Sequence, residues 1–401
     1  MAERPYPRST VAGCHVYSVT DYLWMIADGA RTSAYADALR AVVAPGDRVL
    51  EVGAGFGFFS VIAAQAGAAH VDAVDTNPAI HLAARVAAAN GCAGRIAFHH
   101  RNIADVTLPQ PADVLLIDVR GPTPFGSRSL EVLIDARDRL LRPGGRIVAR
   151  ADRVMVAPCR TPAAFRREVH AAHGREGLNL EPVEQIVFDT PMRCPIAPDE
   201  LVSDGRSWVV LDYQALKSTT ASGSAVWQLD NGTAVDGLAL WFETDLADGI
   251  GFSTRPGAGS FAYTQLFIPF RRPVIAERGG RFRVEIAARQ MHENYLWSWR
   301  GWLAPEDSSD EELVFDQNSL AELVLDPAAM PLTGADATPG MGPKSSALLA
   351  LLSHIDGRRS VGALSATLAG DMPDLFVNQE AAREFVAAWV LRLAQIERGG
   401  G

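Results

Sequence analysis

The sequence predicts an α/β chain that turns to β and ends in helix, and three observations lead there. First, an apolar run, Val49 to Val52, turns through Gly53, Gly55 and Gly57 and enters an Ala-rich helical pattern, Val61 to Ala69. Second, a further apolar run, Val71 to Val74, ends in an acid, Asp75. Third, this alternation stops near residue 152, where strand signals take over, and three helical apolar stripes follow residue 344. A Gly-rich turn between strand and helix lets backbone N–H groups approach a ligand, and a helix N-terminus favours negative charge. An acid at the tip of the next strand suits the two hydroxyls of a ribose, so the opening pattern points to a nucleoside-type cofactor.

Length and charge narrow the class. A chain of 401 residues holds more than one domain. The net charge of −10 argues against a dedicated nucleic-acid binder, which carries a basic face. Cys14, Cys92, Cys159 and Cys194 lack Cys-x-x-Cys spacing, and His15, His99, His100 and His354 lack metal spacing, which implies a reducing compartment and no metal site. The chain shows no signal-peptide run and no stretch long and apolar enough to span a bilayer. The expectation is a cytoplasmic protein with no membrane partner.

In chain order, Tyr22 to Arg31 fits an amphipathic helix, either a lid on the sheet or a mount for Arg31, whose guanidinium can grip a carboxylate in two places. Ile96 to His99 and Val114 to Asp118 read as strands, Leu130 to Leu141 as a helix, and Arg146 to Val148 as a strand after a tight turn. Beyond residue 152, Arg206 to Leu216 reads as a strand, and Ala225 to Leu229 and Leu238 to Thr244, joined by Asp230-Asn231-Gly232, read as a hairpin or strand pair. Strands follow at Phe261–Phe270, Phe282–Ala287 and Tyr295–Leu303.

The spacing Glu51-Val-Gly-x-Gly-x-Gly resembles the first motif of S-adenosylmethionine (SAM) methyltransferases. With Tyr-x-x-Met-Ile-x-Asp-x-x-Arg upstream (Tyr22 to Arg31) and Gly-Phe-Ser-Thr-x-Pro downstream (Gly251 to Pro256), residues 15 to 305 resemble the protein arginine methyltransferases. The resemblance implies a Rossmann-like class I methyltransferase domain followed by an antiparallel β-barrel, with SAM as cofactor. It implies that Met25 lies against the SAM sulfur, Arg31 binds its carboxylate, and Asp28 supports the loop. It further implies that Glu51, Gly53 and Gly55 form the first motif and Asp75 binds the ribose. Ile103 takes the apolar position beside adenine; Ala104 stands where the family has an acid, which leaves Asn102 or Asp105 to supply that contact.

The sequence departs from the family at the acceptor. Of the two glutamates that clamp a guanidinium, the first position is Asp118 and the second falls on Ser127; Glu131, one turn further on, substitutes only if the loop is longer. Arg120 adds a cation where the guanidinium would enter, and the family's Thr-His-Trp loop becomes Phe261-Ala262-Tyr263, with Tyr263 as an aromatic wall. These departures with a retained cofactor motif imply a changed acceptor, with Asp118 as the orienting residue. Residues 174–200 match the family's dimerisation arm or an ordinary surface excursion.

Residues 306–326 hold eight acids and no base, which reads as a solvated face or a guide for a basic peptide, and a Pro/Gly-rich linker follows. In the tail, Leu348, Leu349, Leu351, Leu352 and Ile355, then Val361, Leu364 and Leu368, then Phe385, Val386, Trp389, Val390 and Leu393 mark three helices. Their arrangement around Asp-Gly-x-x-Ser-Val is similar to the PqqD-like winged-helix domains, which implies peptide recognition; the alternative is a stabilising cap. The expected organisation is a SAM-binding domain (1–152), a β-barrel (153–305), an acidic segment and linker (306–343) and a small helical, winged-helix-like domain (344–401). The expected function is methyl transfer to a peptide or protein by a homodimer. The alternatives are an O- or N-methyltransferase of a small molecule or carboxylate, with Arg120 gripping the anion, and a catalytically silent SAM-binding scaffold.

Overall fold

The computed structural model describes residues 10–11, 14–15, 17–170, 175–277, 279–291, 294–305, 310–320, 338 and 340–397, the last seven and residues 10, 11, 14, 15, 170 and 175 by backbone alone. The chain divides into two compact units, residues 1–323 and 324–401.

After a short antiparallel pair, Thr10–Val11 with Cys14–His15, the first unit runs into two helices. In α1 (Val19–Ile26) a capping box closes the N-terminus: Ser18 Oγ accepts from Asp21 N at 3.3 Å and Asp21 accepts from Ser18 N at 2.7 Å. The single helix expected across Tyr22–Arg31 is broken, because Asp28 leaves helical geometry to cap α2 (Gly29–Val42), accepting from Arg31 N at 3.2 Å. Strands β1 (Arg48–Val52), β2 (His70–Asp75), β3 (Ile96–His100), β4 (Ala112–Ile117) and β5 (Leu141–Val148) form a parallel sheet in the order β3-β2-β1-β4-β5. Helices α3 (Phe58–Gln65), α4 (Ile80–Ala89) and α5 (Ser129–Leu140) connect them. Parallel strands are covered on both faces, so β1, β2 and β4 read as apolar runs and bury Leu50, Val71, Val114 and Leu115. The tight turn expected at Arg142–Gly145 lies inside β5, where the register to β4 jumps from Leu141 to Arg146. Strand order reverses between β1 and β4, and in such sheets the crevice at the strands' carboxyl ends is where ligands bind.

Two antiparallel sheets follow. One runs β8 (Arg206–Asp212), β6 (Ala151–Cys159), β10 (Thr233–Ala247), β12 (Gln265–Ala276), β7 (Met192–Cys194), with β11 (Ile250–Ser253) paired to β10. The other runs β9 (Ala221–Leu229), β13 (Gly280–Met291), β14 (Asn294–Ala304), β15 (Glu312–Asn318). Edge β8 packs on β9 and β12 on β15, closing the sheets into a barrel around Trp227, Trp299, Phe282 and Ile268. The strand pair expected across Asp230-Asn231-Gly232 does not form. β9 pairs with β13 along its whole length while β10 lies between β6 and β12, so the turn carries the chain from one sheet to the other. Gly232 makes that corner at φ +75°, its N–H donating to Ala276 O at 2.8 Å.

The acidic stretch is only partly a solvated face. β15 extends the barrel past residue 305, and two acids of the stretch pair with arginines of the same sheet: Glu311, just before β15, with Arg283 at 2.6 Å and Arg281 at 3.2 Å on β13, and Asp316 of β15 with Arg300 of β14 at 3.0 Å. Glu306, Asp307, Glu322 and Asp326 lie outside the described residues, as does most of the linker. Between β6 and β7 lie α6 (Ala163–His170) and α7 (Glu181–Val187), and the stretch expected as an arm, residues 174–200, holds α7. The buried Asp189 fastens its end, pairing with Arg271 of β12 and accepting from Gln317 of β15 at 3.0 Å.

Among its described residues, the second unit is three helices, α8 (Pro343–His354), α9 (Val361–Asp371) and α10 (Gln379–Glu397). Leu351, Leu364, Leu368 and Val386 form its centre. The expected first stripe is narrower than read: Leu349, Leu352 and Ile355 are exposed, and Leu393 has no described side chain. Among the described residues, no helix is long and apolar enough to cross a membrane, and no group of His, Cys, Asp and Glu is placed to hold a metal.

Candidate active site

The crevice has two edges. On the first, β1 runs into a loop in which Gly53, Gly55 and Gly57 all have positive φ, +81°, +56° and +79°. Their missing side chains are also a matter of space: a Cβ on Gly53 would lie 2.9 Å from Val119 Cγ1, and one on Gly55 2.6 Å from the Tyr22 ring. Gly55 N donates to Asp75 Oδ2 at 2.6 Å and Asn77 N to Asp75 Oδ1 at 2.7 Å, which fixes the carboxylate at the tip of β2. Burial raises the Asp75 pKa above the ordinary carboxylate value, against these hydrogen bonds. Below the loop, Glu51 is buried and accepts from Ser60 Oγ on the first turn of α3; burial pushes its carboxyl up to about 8.

The second edge, at the end of β4, is a closed network of side chains. Asp118 Oδ2 accepts from Arg31 Nε at 2.9 Å, from Arg31 Nη2 at 2.7 Å and from the Tyr263 hydroxyl. Asp118 Oδ1 accepts from Arg120 Nε at 3.3 Å. Arg120 Nη1 donates to both oxygens of Asp152, at 2.5 and 2.7 Å, and to Thr244 Oγ1 at 3.0 Å, while Nη2 donates to the Tyr35 hydroxyl. Tyr213 OH donates to Asp152 Oδ2 at 2.5 Å. The Arg120 guanidinium lies 4.8 Å from the Phe242 ring centroid and 5.8 Å from that of Tyr263. Burial works to raise the Asp118 pKa, but the guanidiniums of Arg31 and Arg120 outweigh it and hold the carboxyl below its ordinary value. The second Asp28 oxygen, meanwhile, accepts from Ser260 Oγ, Phe261 N and Ala262 N, each at 2.8 Å, which places Tyr263 over Asp118.

Residues 49–145 match a family model described as a methyltransferase domain. A probable histone-arginine methyltransferase CARM1 from Oryza sativa subsp. indica is 30% identical over 274 residues, 62% of this chain and 51% of that protein. Protein arginine N-methyltransferase 6 from Xenopus laevis is 27% identical, over 54% of this chain and 68% of that protein. Among solved structures, Arabidopsis thaliana protein arginine methyltransferase 10 superposes with a TM-score of 0.65 at 20% identity, covering 75% of this chain and 97% of that one. The Trypanosoma brucei PRMT1 enzyme–prozyme heterotetramer with AdoHcy gives 0.66 at 19%, covering 74% and 97%. The fold is that of a class I, protein-arginine-methyltransferase-like methyltransferase. The chain spans about half the length of the first curated relatives it matches, 51% of the rice proteins and 53% of an Arabidopsis one.

On this methyltransferase fold the expected residues separate. Gly53, Gly55 and Asp75 meet on the loop edge, and Arg31, Asp118 and Arg120 on the other, with Met25 packed beside Phe242 and Tyr263. Glu51 faces α3, not the crevice mouth. Ile103 is buried; Asn102 is exposed and accepts from Ala104 N at 3.0 Å, capping its own short turn. Two expected roles are not met, that of Glu131 as a clamp acid and that of Arg120 as an anion grip. Glu131 is no part of the crevice: α5 begins at Ser129, which turns Glu131 outward to pair with Arg128 and accept from Gln290 Nε2 at 3.0 Å. Ser127, the second acid's position, is exposed at φ +46°. Arg120 is not a free anion grip, because Asp152 takes its guanidinium edge. Asp152, Tyr213, Tyr35 and Thr244 were not legible as site residues. They come from β6, from beyond β8, from α2 and from β10, and only the barrel brings them together; the one local signal is an acid, Asp152, near the start of a strand that is apolar from Val154 on.

Proposed function

We propose that this chain is a SAM-dependent methyltransferase of the arginine-methyltransferase type acting on a peptide or protein. The carrying observation is the side-chain-free cradle at Gly53 and Gly55, with Gly55 N fixing Asp75 beside it. This arrangement fits SAM: Asp75 would take the ribose hydroxyls, Met25 and Ile103 the apolar contacts, and Arg31 Nη1, only 3.5 Å from Met25 O and turned away from Asp118, the carboxylate. When bound, SAM supplies a methyl on a sulfonium, which leaves as the acceptor's lone pair forms the new bond. The chain's own contribution is mainly placement: Asp28 holds the 260–262 loop, Arg31 and Tyr263 aim Asp118, and the aromatic rings of Phe242 and Tyr263 exclude water.

Residues 344–401 act as a peptide-recognition element in this reading, and residues 174–200 around α7, with Leu178 and Val183 exposed, as a homodimer arm. The cytoplasm is the proposed location. Calorimetry with SAM and with its demethylated product, followed by transfer of labelled methyl to candidate peptides, tests the proposal; absence of SAM binding refutes it. One observation, the pairing of Asp118 with two arginines, favours a second reading as a SAM-binding subunit without turnover. Methylation of any acceptor excludes that.

A further inference from the structure

The network around Asp118 has a consequence for the acceptor, given the methyltransferase reading on which it rests. Arg31, Arg120, Asp118 and Asp152 together balance to zero charge in a nearly closed site. A sulfonium cofactor adds one positive charge. A guanidinium or ammonium acceptor would add another, facing a carboxylate that already bridges two arginines, and uncompensated charge at a buried site is strongly disfavoured. A guanidinium also needs two acceptor edges for its fork, and Asp118 Oδ2 already receives three donors. A carboxylate acceptor would face Asp118 itself, while the Arg120 donors are directed to Asp152, Thr244, Tyr35 and Asp118. A hydroxyl or amide must lose a proton to become nucleophilic, and an aspartate held between two guanidiniums is a poor base.

What Asp118 still offers, among the described residues, is a lone pair on Oδ1, which accepts only the long 3.3 Å contact from Arg120. That matches an acceptor with one N–H to donate and a lone pair elsewhere on the same group. Beside Asp118 stands the Tyr263 ring, held edge to face on Phe242 at 5.1 Å and stacked with Phe252 at 6.0 Å, the aromatic group that a flat acceptor would meet. We propose that the acceptor is an uncharged imidazole, the histidine side chain, and that Arg120 is the residue that excludes arginine. One ring nitrogen donates its N–H to Asp118 Oδ1. The other attacks the methyl carbon; the C–N bond forms, the S–CH3 bond breaks with its electron pair going to sulfur, and the resulting imidazolium loses its N–H proton to solvent afterwards.

The experiment is a binding titration. Full-length protein saturated with S-adenosylhomocysteine is titrated at pH 8 with imidazole, methylguanidine and n-butylamine, followed by calorimetry or NMR. Imidazole is expected to bind at least tenfold more tightly than the two cations, and to weaken at pH 5.5, where the ring is protonated. Imidazole binding no tighter than methylguanidinium, or not at all, while S-adenosylhomocysteine still binds, overturns the proposal and leaves the methyltransferase reading standing. Failure of S-adenosylhomocysteine to bind strikes that reading itself. In the Arg120→Gln, Asp152→Asn double variant, which removes both charges together, the preference for imidazole is expected to fall at least fivefold. A preference that survives in the folded double variant shows that Arg120 does not set it.

Discussion

At the end of β2, Asp75 is held by two backbone N–H groups, those of Gly55 and Asn77. At the end of β4, Asp118 is held by side chains from α2, from the loop after β4 and from the loop before β12. The first acid is positioned by a local turn and keeps its side chain for a ligand. The second is positioned by groups distant in sequence and is neutralised by them. The proposed cofactor edge is therefore legible as a local motif, whereas the proposed acceptor edge is a property of the assembled fold.

The sharpest test of that contrast is the fully buried Asp152. Replacing it by Ala leaves the Arg120 guanidinium buried without its carboxylate, and breaking such a pair costs about 3–5 kcal/mol. Denaturant unfolding should show a loss of that size, with a near-neutral result for a double replacement of Arg120 and Asp152 by apolar residues. A loss below about 1 kcal/mol in the single variant would mean that water or another group reaches Arg120, and the acceptor edge is less closed than its geometry indicates. Asp75→Ala comes next. It should weaken SAM binding by about 1–3 kcal/mol in calorimetry, the size of hydrogen bonds lost to a buried polar partner. Unchanged affinity would remove Asp75 from the cofactor edge.

How far the fold was legible follows the same division. The parallel sheet could be read because each strand is an apolar run bounded by turn residues, and the glycine turn because only glycine tolerates both the φ and the crowding at Gly53 and Gly55. The barrel strands could mostly be located but not paired: nothing near Asp230-Asn231-Gly232 tells β10 to join β6 and β12 rather than β9. β15 was hidden by the acids in and before it, two of which, Glu311 and Asp316, pair with arginines of β13 and β14. At the site, Asp118 and Arg120 were found by position, but Asp152 and the Tyr263 hydroxyl needed the third dimension.

Glu51 sharpens the comparison through pH. Its carboxyl is raised by burial from the usual 4.5 to about 8, so the folded state holds a proton that the unfolded chain releases across that interval. Its contribution to stability is fully present below pH 4.5 and is lost as pH rises through about 8. Glu51→Gln keeps a neutral group there, so the variant should gain on the parent steadily across this window in unfolding free energy. Parallel pH profiles would show that Glu51 is ionised in the folded protein and that the floor of the loop is wetter than its burial suggests.

The smallest expected effect concerns Glu131, the residue that reading by sequence position offers as a second clamp acid. Its carboxylate is 45% exposed and pairs with an equally exposed Arg128. Surface pairs of this kind contribute less than about 1 kcal/mol. Glu131→Gln should therefore leave stability nearly unchanged, and it should leave the kcat and KM of methyl transfer unchanged as well, because α5 points the side chain away from Asp118. Asp118→Asn is the matched variant: it keeps the shape, removes the charge that Arg31 and Arg120 share, and should abolish transfer. A large fall in kcat/KM for Glu131→Gln would place that carboxylate at the acceptor during turnover. The loop from Arg120 to Arg128 would then have to rearrange when substrate binds, and the acceptor edge would prove adaptable where it now reads as closed.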